Sequence, residues 1–453
     1  MRKRIVLSLC LLAVLVAGTG WVLTRPEAID TRFTGAYVLE DGTHVYISPR
    51  DAEALRYRLM NGESGALWPT KSLTFEGGAG WAEREPVINT FRFTVGDDGR
   101  VAGFEWQRPG GETRQAKKLD LRERIEMFPS GELSLRGKLV LPDGEGPFPA
   151  VVLVHGSEDT SAVDTYFMPY MYAAHGFASL AFDKRGTGKS EGEYLQNFHV
   201  LSDDVVAAVQ WLRTQDSIDP DRIHLAGFSQ GGWIAPLAAL KDGRIASILV
   251  GYGVMVPVTG EDRWGYVYAL ERKGFGEEAI AAADRINAVI EDIVDRHMDR
   301  WSELGTMLDA ARSEPWFEAV RGSDSMLGYV TDTKLPLRAV RVVHWWRFQA
   351  QDGPPFIDRL YDPMDTMRKL DVPSCWLLAD KDVSAPTQWT VAALDRLEAQ
   401  GKPVEYHVFP NTDHGILTFV EDENGLRRML GHAPDYFQRQ IDWLEARSAP
   451  DIL

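Results

Sequence analysis

The sequence predicts an α/β protein: a doubly wound, mostly parallel sheet that carries a helical insertion and follows a small, mainly-β N-terminal domain. Three observations predict it. Beyond residue 120, short continuous apolar runs alternate with helical segments, the pattern of strands buried on both faces. Between about residues 254 and 371 helical periodicity replaces that alternation. Before residue 119, short alternating runs are separated by Asp-Gly and Asn-Gly pairs, which favour tight hairpin turns.

At 453 residues the chain is long enough for one large core and a second module. Its 49 basic residues against 66 acidic ones give a net charge of -17, which repels a phosphate backbone and excludes nucleic acid as a partner. The two cysteines, Cys10 and Cys375, form no disulfide framework, and Cys375 reads as a small buried hydrophobe.

Taken in order, residues 1–25 open with Arg2-Lys3-Arg4, continue apolar from Ile5 to Gly18, and reach small residues at Ala17-Gly18-Thr19-Gly20, the layout of a bacterial-type export signal. Extended through Trp21-Val22-Leu23, the run approaches the roughly 20 residues that span a bilayer. A cleaved signal and an uncleaved anchor are both open, with residues 5–23 as the stretch that associates with a membrane. The protein is expected to be exported: periplasmic, secreted, or held at the membrane. Cys10 follows the bulky Leu9 too early in the run for a lipidation site.

Residues 31–119 form the mainly-β accessory domain, with turns at Asp41-Gly42, Asn61-Gly62 and Asp98-Gly99. Its clearest hairpin runs from Phe91-Arg92-Phe93-Thr94-Val95 through Asp97-Asp98-Gly99 into residues 101–106. Nothing in it looks catalytic, so packing or positioning is its expected role. A charged stretch through Lys117-Lys118 and Arg122-Glu123-Arg124 leads into residues 120–453. Strands are expected at 138–141, 150–154, 178–182, 222–226, 247–251, 374–379 and 404–409. A helix is expected where Val205, Val206, Val209 and Leu212 recur, with Ser202-Asp203-Asp204 as its cap and first turn. In the insertion, about 254–371, Ile280, Ile286, Ile290, Ile293 and Val294 make one apolar stripe. Ligands of an open α/β sheet bind at the carboxyl ends of its strands, where an insertion between strands roofs the crevice. There is no internal repeat and no low-complexity tract.

The chemistry concentrates at Gly227-Phe228-Ser229-Gln230-Gly231, which follows the apolar strand through Ala226 and opens the helical run from Trp233. A serine on such a strand-to-helix turn, with glycines that let neighbouring backbone pass close, is a nucleophile elbow. The bland reading is a glycine-rich connection with an incidental serine.

These residues, with the segments around Val154 and at 376–386 and 404–415, resemble the α/β-hydrolase superfamily and, within it, bacterial serine esterases and prolyl-oligopeptidase-like enzymes. The resemblance covers about residues 119–446. It implies an oxyanion loop at Val154-His155-Gly156-Ser157, with the backbone N–H groups of Ser157 and Gln230 as donors, and leaves the His155 ring to pack the loop. It implies the order serine, acid, histidine. Asp380-Lys381-Asp382 ends an apolar strand and resembles the acid loop, in which the second aspartate aligns with the catalytic one; Ala379 stands where the family commonly has glycine, which leaves Asp380 open. Pro410-Asn411-Thr412-Asp413-His414-Gly415 follows the last expected strand and matches the loop of the base. His407 reads as packed within its strand and His432 as a capping or surface residue near a helix start. In the implied roles His414 takes the Ser229 proton, Asp382 holds the imidazole, and water releases an acyl-enzyme, with no metal or organic cofactor.

Asp183-Lys184-Arg185-Gly186-Thr187-Gly188-Lys189-Ser190 ends like a phosphate-binding loop, but Asp183 stands where that loop needs glycine. It resembles a structural turn of the hydrolase family instead. The aromatics Trp301, Trp316 and His344-Trp345-Trp346-Arg347-Phe348 read as core, with pocket lining as the alternative. The implied activity is hydrolysis of a small-molecule carboxylic ester. A peptidase or acyl-thioesterase uses the same groups, although a peptidase of the resembling branch carries a large N-terminal propeller for which 31–119 is too short. A non-catalytic binding protein on the same fold is the alternative of another class. Oligomeric state is not legible.

Overall fold

Glycine can take a positive φ without steric cost, and the expected turn glycines do so: Gly42 at φ 85°, Gly62 at 88° and Gly99 at 78°. The computed structural model describes residues 29–108, 110–111, 113–296, 299–333, 335–344 and 357–448. The leader at 1–25 and the run Trp345-Trp346-Arg347-Phe348 lie outside these residues. The chain divides into two compact units, the first ending at Lys118 and the second beginning at Leu119, with Leu59–Ser64 assigned to the second. Among the described residues no helix is long and apolar enough to cross a membrane.

The first unit is a closed barrel of strands in sequence order: β1 (Gly35–Leu39), β2 (His44–Pro49), β3 (Leu55–Leu59), β4 (Ser64–Lys71), β5 (Thr74–Gly77), β6 (Asn89–Val95), β7 (Val101–Gln107) and β8 (Thr113–Lys118). Its mainly-β character is as expected; the closure, made by antiparallel pairing of β1 with β8, is not visible in local patterning. The expected hairpin is β6–β7, which pairs Phe91 with Trp106 and Phe93 with Phe104. These four aromatic side chains are buried, and the Phe91 and Trp106 rings stack with centroids 5.1 Å apart.

The second unit is built on an eight-stranded sheet of β9 (Arg122–Ser130), β10 (Leu133–Leu141), β11 (Phe148–Val154), β12 (Ala178–Phe182), β13 (Ile218–Phe228), β14 (Ser247–Gly251), β15 (Ser374–Ala379) and β16 (Val404–Phe409). The spatial order is β16-β15-β14-β13-β11-β12-β10-β9. The six strands from β16 to β12 pair in parallel, and β10 and β9 are antiparallel additions at one edge. Two early helices, α1 (Ala162–Thr165) and α2 (Met168–Ala174), lie between β11 and β12; α3 (Phe198–Arg213) and α4 (Gly231–Asp242) flank β13 in sequence. The apolar strands Val152, Leu225, Val250 and Leu378 share one core with Val205 and Leu212 of α3 and Trp233 of α4.

The charged stretch Arg122-Glu123-Arg124 is the start of β9, an edge strand that buries few side chains and so shows no apolar run. One expectation is corrected. Helix α3 begins four residues before Ser202, at Phe198, because the Asn197 side chain accepts the Val200 N–H at 3.1 Å. Ser202 and Asp204 therefore lie inside the helix, and Asp204 is buried against Arg185, with two contacts of 2.7 Å.

Between β14 and β15 the chain forms helices α5 (Val258–Arg272), α6 (Glu277–Arg296), α7 (Trp301–Ala311), α8 (Phe317–Val320), α9 (Met326–Asp332), α10 (Leu337–His344) and α11 (Pro363–Met367). Ile286, Ile290 and Ile293 of the expected stripe are buried, with Ile280 and Val294 partly so, in a core separate from that of the sheet and shared with Tyr266, Leu270, Leu304 and Trp316. Trp301 packs on the same core. After β15 comes α12 (Thr387–Ala399), and after β16 a small antiparallel sheet of β17 (Thr412–Asp413), β18 (Leu417–Glu421) and β19 (Arg427–His432) precedes α13 (Tyr436–Ser448). His432 is thus a strand residue rather than a helix cap, its ring stacked on Tyr436. Cys375 is buried, and burial pushes its thiol up to about 12.

Candidate active site

Ser229 opens the two-residue reversal, Ser229-Gln230, between β13 and α4, at φ 52°. That left-handed conformation costs a residue with a Cβ roughly 1–2 kcal/mol. The surroundings enforce it: the Ser229 N–H donates to Gly251 O at 3.0 Å, and the Gly232 N–H donates back to Ser229 O at 2.8 Å. Both flanking glycines are required by close approach. A Cβ on Gly227 would lie 2.4 Å from Gly231 O, and one on Gly231 would lie 2.2 Å from Val154 O.

His414 lies in the tight connection between β17 and β18, where Asp413 pairs with Leu417 and Gly415 has φ 80°. Its Nε2 is 3.0 Å from Ser229 Oγ, and its Nδ1 is 3.0 and 3.1 Å from the two Asp382 oxygens. A carboxylate only accepts, so Nδ1 carries the proton and Nε2 is left to accept from the Ser229 hydroxyl. Asp382 is 2% exposed, and its Oδ1 accepts the N–H groups of Ser384 at 2.9 Å and Ala385 at 2.8 Å. Asp380 turns away and accepts the Thr412 N–H at 3.1 Å. Burial disfavours a charged His414, but the Asp382 charge and hydrogen bond, helped by Glu261 and Asp413, outweigh it and hold the imidazole above its ordinary value. Tyr252 sets its ring edge-on to His414 with centroids 4.9 Å apart.

The 154–157 loop passes close over the serine: a Cβ on Gly156 would lie 3.2 Å from Ser229 Cβ. Lys184 Nζ donates to Gly156 O at 2.7 Å, and the Tyr194 hydroxyl and Gln196 Nε2 donate to Ser157 O. Among the described residues, the N–H groups of Ser157 and Gln230 donate to no protein acceptor. The His155 ring is buried, edge-on to Tyr166 and Phe182, and burial with the Lys184 charge pushes it down to about 4, so it packs as a neutral group.

A cleft of about 600 Å³ opens above Ser229, lined by Ser157, Gln230 and His414 on the sheet side and by Glu261, Asp324 and Tyr329 from the helices between β14 and β15. Asp262 lines it too, with its Oδ1 accepting the Met326 N–H at 2.8 Å. Burial, reinforced by Asp324, Asp382 and Asp262 against the opposing His414, pushes the Glu261 carboxyl up to about 8. Among the described residues no group of His, Cys, Asp and Glu side chains is arranged to hold a metal ion.

The Asp183–Ser190 turn folds around its own carboxylate. Asp183 is fully buried and accepts from Ser161 Oγ at 2.7 Å, Val163 N at 3.1 Å and Lys189 N at 3.2 Å, and the Gly186, Thr187 and Ser190 N–H groups donate to Glu191 O, Lys184 O and Thr187 O, so these donors of the turn are already used. Sequence reasoning missed four contributors. Lys184 lies hidden in that turn. Asp413 sits beside the histidine as one more loop residue; it accepts from Val383 N at 3.0 Å, His414 N at 2.7 Å and Arg427 at 2.7 Å. Arg427 belongs to a strand that no apolar pattern marks, and Glu261 reads as an ordinary first-turn acid of α5.

Two family models match the second unit: X-Pro dipeptidyl-peptidase (S15 family) over residues 131–346 and the prolyl oligopeptidase family over residues 317–440. Among curated proteins, the quorum-quenching protein AidA of Acinetobacter baumannii is 32% identical over 27% of this chain and 41% of its own length. Thiohydrolase aneE of Aspergillus aculeatus is 34% identical over 28% of this chain and 39% of its own, and esterase EstD of Thermotoga maritima 29% over 32% and 36%. The chain thus spans about two fifths of the length of these curated relatives. Among solved structures, the α/β hydrolase GrgF from a Penicillium species aligns at 18% identity over 72% of this chain and 99% of that one, with a TM-score of 0.43.

Proposed function

This chain belongs to the α/β-hydrolase superfamily, and from that premise we propose that it is a serine hydrolase that cleaves carboxylic esters of small molecules through an acyl-enzyme. One observation carries the reading: the continuous hydrogen-bonded path from Asp382 through His414 to Ser229 Oγ, with links of 3.0 Å on both sides of the imidazole. His414 removes the hydroxyl proton as Ser229 attacks the acyl carbonyl, then returns it to the departing alcohol. Asp382 keeps the proton on Nδ1 and stabilises the imidazolium. The Ser157 and Gln230 N–H groups receive the oxyanion, each contributing on the order of 3 kcal/mol to the transition state. Water, activated by the same imidazole, releases the acid. The helices between β14 and β15 act as a cap over the cleft.

Peptide or thioester substrates are the second reading. Both matching family models carry peptidase names, and one relative is named a thiohydrolase, which favours it. Rates on p-nitrophenyl esters of increasing chain length, beside thioesters and aminoacyl amides, decide between the readings; a preference for amides overturns the choice of ester. Absence of Ser229-dependent labelling by a fluorophosphonate overturns the hydrolase reading itself in favour of a binding protein. The basic and apolar leader at residues 1–25 supports export to the periplasm or beyond, or anchoring at a membrane through residues 5–23. Fractionation of cells producing the full chain tests this, and recovery in the cytoplasm refutes it.

A further inference from the structure

We propose that Lys184 is a positioning residue of the oxyanion hole, acting through the peptide group that joins Gly156 to Ser157. That group has two ends. Its carbonyl oxygen, on Gly156, accepts from the Lys184 ammonium at 2.7 Å. Its N–H, on Ser157, lines the cleft beside Ser229 and donates to no protein acceptor among the described residues. A cation on the carbonyl end draws electron density from the nitrogen, so the N–H becomes a stronger donor to a developing negative charge. The three groups form a short chain, ammonium to carbonyl and N–H to oxyanion, in which each hydrogen bond polarises the next. The proposal rests on the serine-hydrolase reading, because it needs an oxyanion at Ser157.

The placement of the lysine has no cheaper explanation in packing. Lys184 is 4% exposed, and burying an ammonium is costly unless charge and hydrogen bonds compensate. Glu158 and Asp159 favour its charge, while its amine also lies over the Tyr194 ring, 5.1 Å from the centroid. Glu158 is engaged by the Tyr166 hydroxyl, and His155 beside it is held neutral. The next carbonyl, Ser157 O, is held by Tyr194 and Gln196, so the loop is braced at two successive carbonyls. Burial, which outweighs the help from Glu158 and Asp159, brings the ammonium down to about 8. The sign follows: Lys184 is charged below that value and supports the oxyanion, and its contribution is lost as pH rises through it. Glu261 titrates in the same range in the same cleft and must be separated from it.

The test measures kcat, KM and the rate of fluorophosphonate labelling on a neutral ester, p-nitrophenyl acetate, across the alkaline range, for the unaltered full chain and for Lys184→Met, Lys184→Arg and Glu261→Gln. Lys184→Met lowers kcat and the labelling rate about tenfold or more, with KM within about twofold. The unaltered protein and Glu261→Gln lose kcat as pH passes about 8; Lys184→Met has no such limb, and Lys184→Arg, whose charge persists, recovers much of kcat and shows the limb at higher pH. A loss of structure alone does not move that limb. Should Lys184→Met fail to fold, the limbs of the unaltered protein, Glu261→Gln and Lys184→Arg decide. The proposal is overturned if Lys184→Met keeps its kcat, if its alkaline limb persists, or if Lys184→Arg leaves the limb in place. Normal labelling of Ser229 at a rate independent of Lys184 refutes this proposal alone, whereas no labelling and no hydrolysis in the unaltered protein refutes the hydrolase reading with it.

Discussion

Asp413 Oδ1 accepts the backbone N–H of Val383 at 3.0 Å, so the residue before the proposed base holds the loop of the proposed acid. The same carboxylate, 2% exposed, pairs with Arg427 at 2.7 Å. Asp413→Ala leaves two backbone N–H groups without their acceptor and takes one carboxylate from the half-buried Arg427, which keeps Glu421 at 3.1 Å and Lys381 O at 2.6 Å. It is expected to destabilise the protein by about 3 kcal/mol and to lower kcat more than tenfold as Asp382 and His414 lose register. Urea denaturation beside ester hydrolysis checks both, and unchanged values in the two assays would sink the brace.

Removing the proposed nucleophile or the proposed base should be equally damaging and not additive. Ser229→Ala and His414→Ala are each expected to reduce turnover by up to about 10^6-fold, and the double variant no further. Circular dichroism establishes that the fold persists; a double variant much slower than either single one speaks against a shared step.

In the proposed role His414 acts only when neutral, and it is held above its ordinary value. Activity in the wild-type protein therefore rises with pH along a limb centred above about 6.5. Asp382→Asn removes the neighbouring negative charge, so the imidazole loses its proton more easily and the limb moves to lower pH, while kcat falls by about 10^3- to 10^4-fold. A kcat–pH profile of the variant with its acid limb unmoved contradicts the assignment.

The carboxyl-rich wall of the cleft is expected to select by charge. An anionic p-nitrophenyl succinate should show a kcat/KM about tenfold below that of neutral p-nitrophenyl butyrate. Glu261 ionises only as pH passes about 8, so the gap widens there, and Glu261→Gln abolishes the widening. Equal rates for the two esters across this range exclude the effect.

Stability should fall on acidification. His224 is fully buried between Ser247 Oγ at 2.7 Å and Ser448 Oγ at 2.8 Å, and burial aided by the Arg222 charge pushes it down to about 4. The unfolded chain takes up that proton near 6.5 and the folded one resists it until about 4, so stability is lost between those values, about 3 kcal/mol for this residue. His155 adds to the same slope. Thermal melts at descending pH measure it, and His224→Gln should flatten the curve; a slope unchanged by that substitution refutes the attribution.

Much of the sheet and the principal site residues are legible in the sequence because their cause is local. β12, β14, β15 and β16 have the bounds expected from apolar runs, since a strand buried on both faces can hold little else. Ser229, Asp382 and His414 stand out because each sits where a strand ends in a turn that glycine or aspartate marks. What escapes local reading is set by distant contacts. β9 is an edge strand with one face in water, β17 to β19 are short and charged, and barrel closure depends on β1 meeting β8. Lys184 and Asp413 acquire their meaning from partners at Gly156, 28 positions away, and Val383, 30 positions away.

The separate core of the helices between β14 and β15 has a consequence for how the protein can change. The side chains that shape the upper wall of the cleft answer to Ile286, Leu304 and Trp316, while the hydrogen-bonded path at Ser229 answers to the sheet. Inheritance can therefore reshape that wall while leaving the path itself untouched. Under the proposed function, descendants of this chain are free to diverge in diet long before they diverge in chemistry.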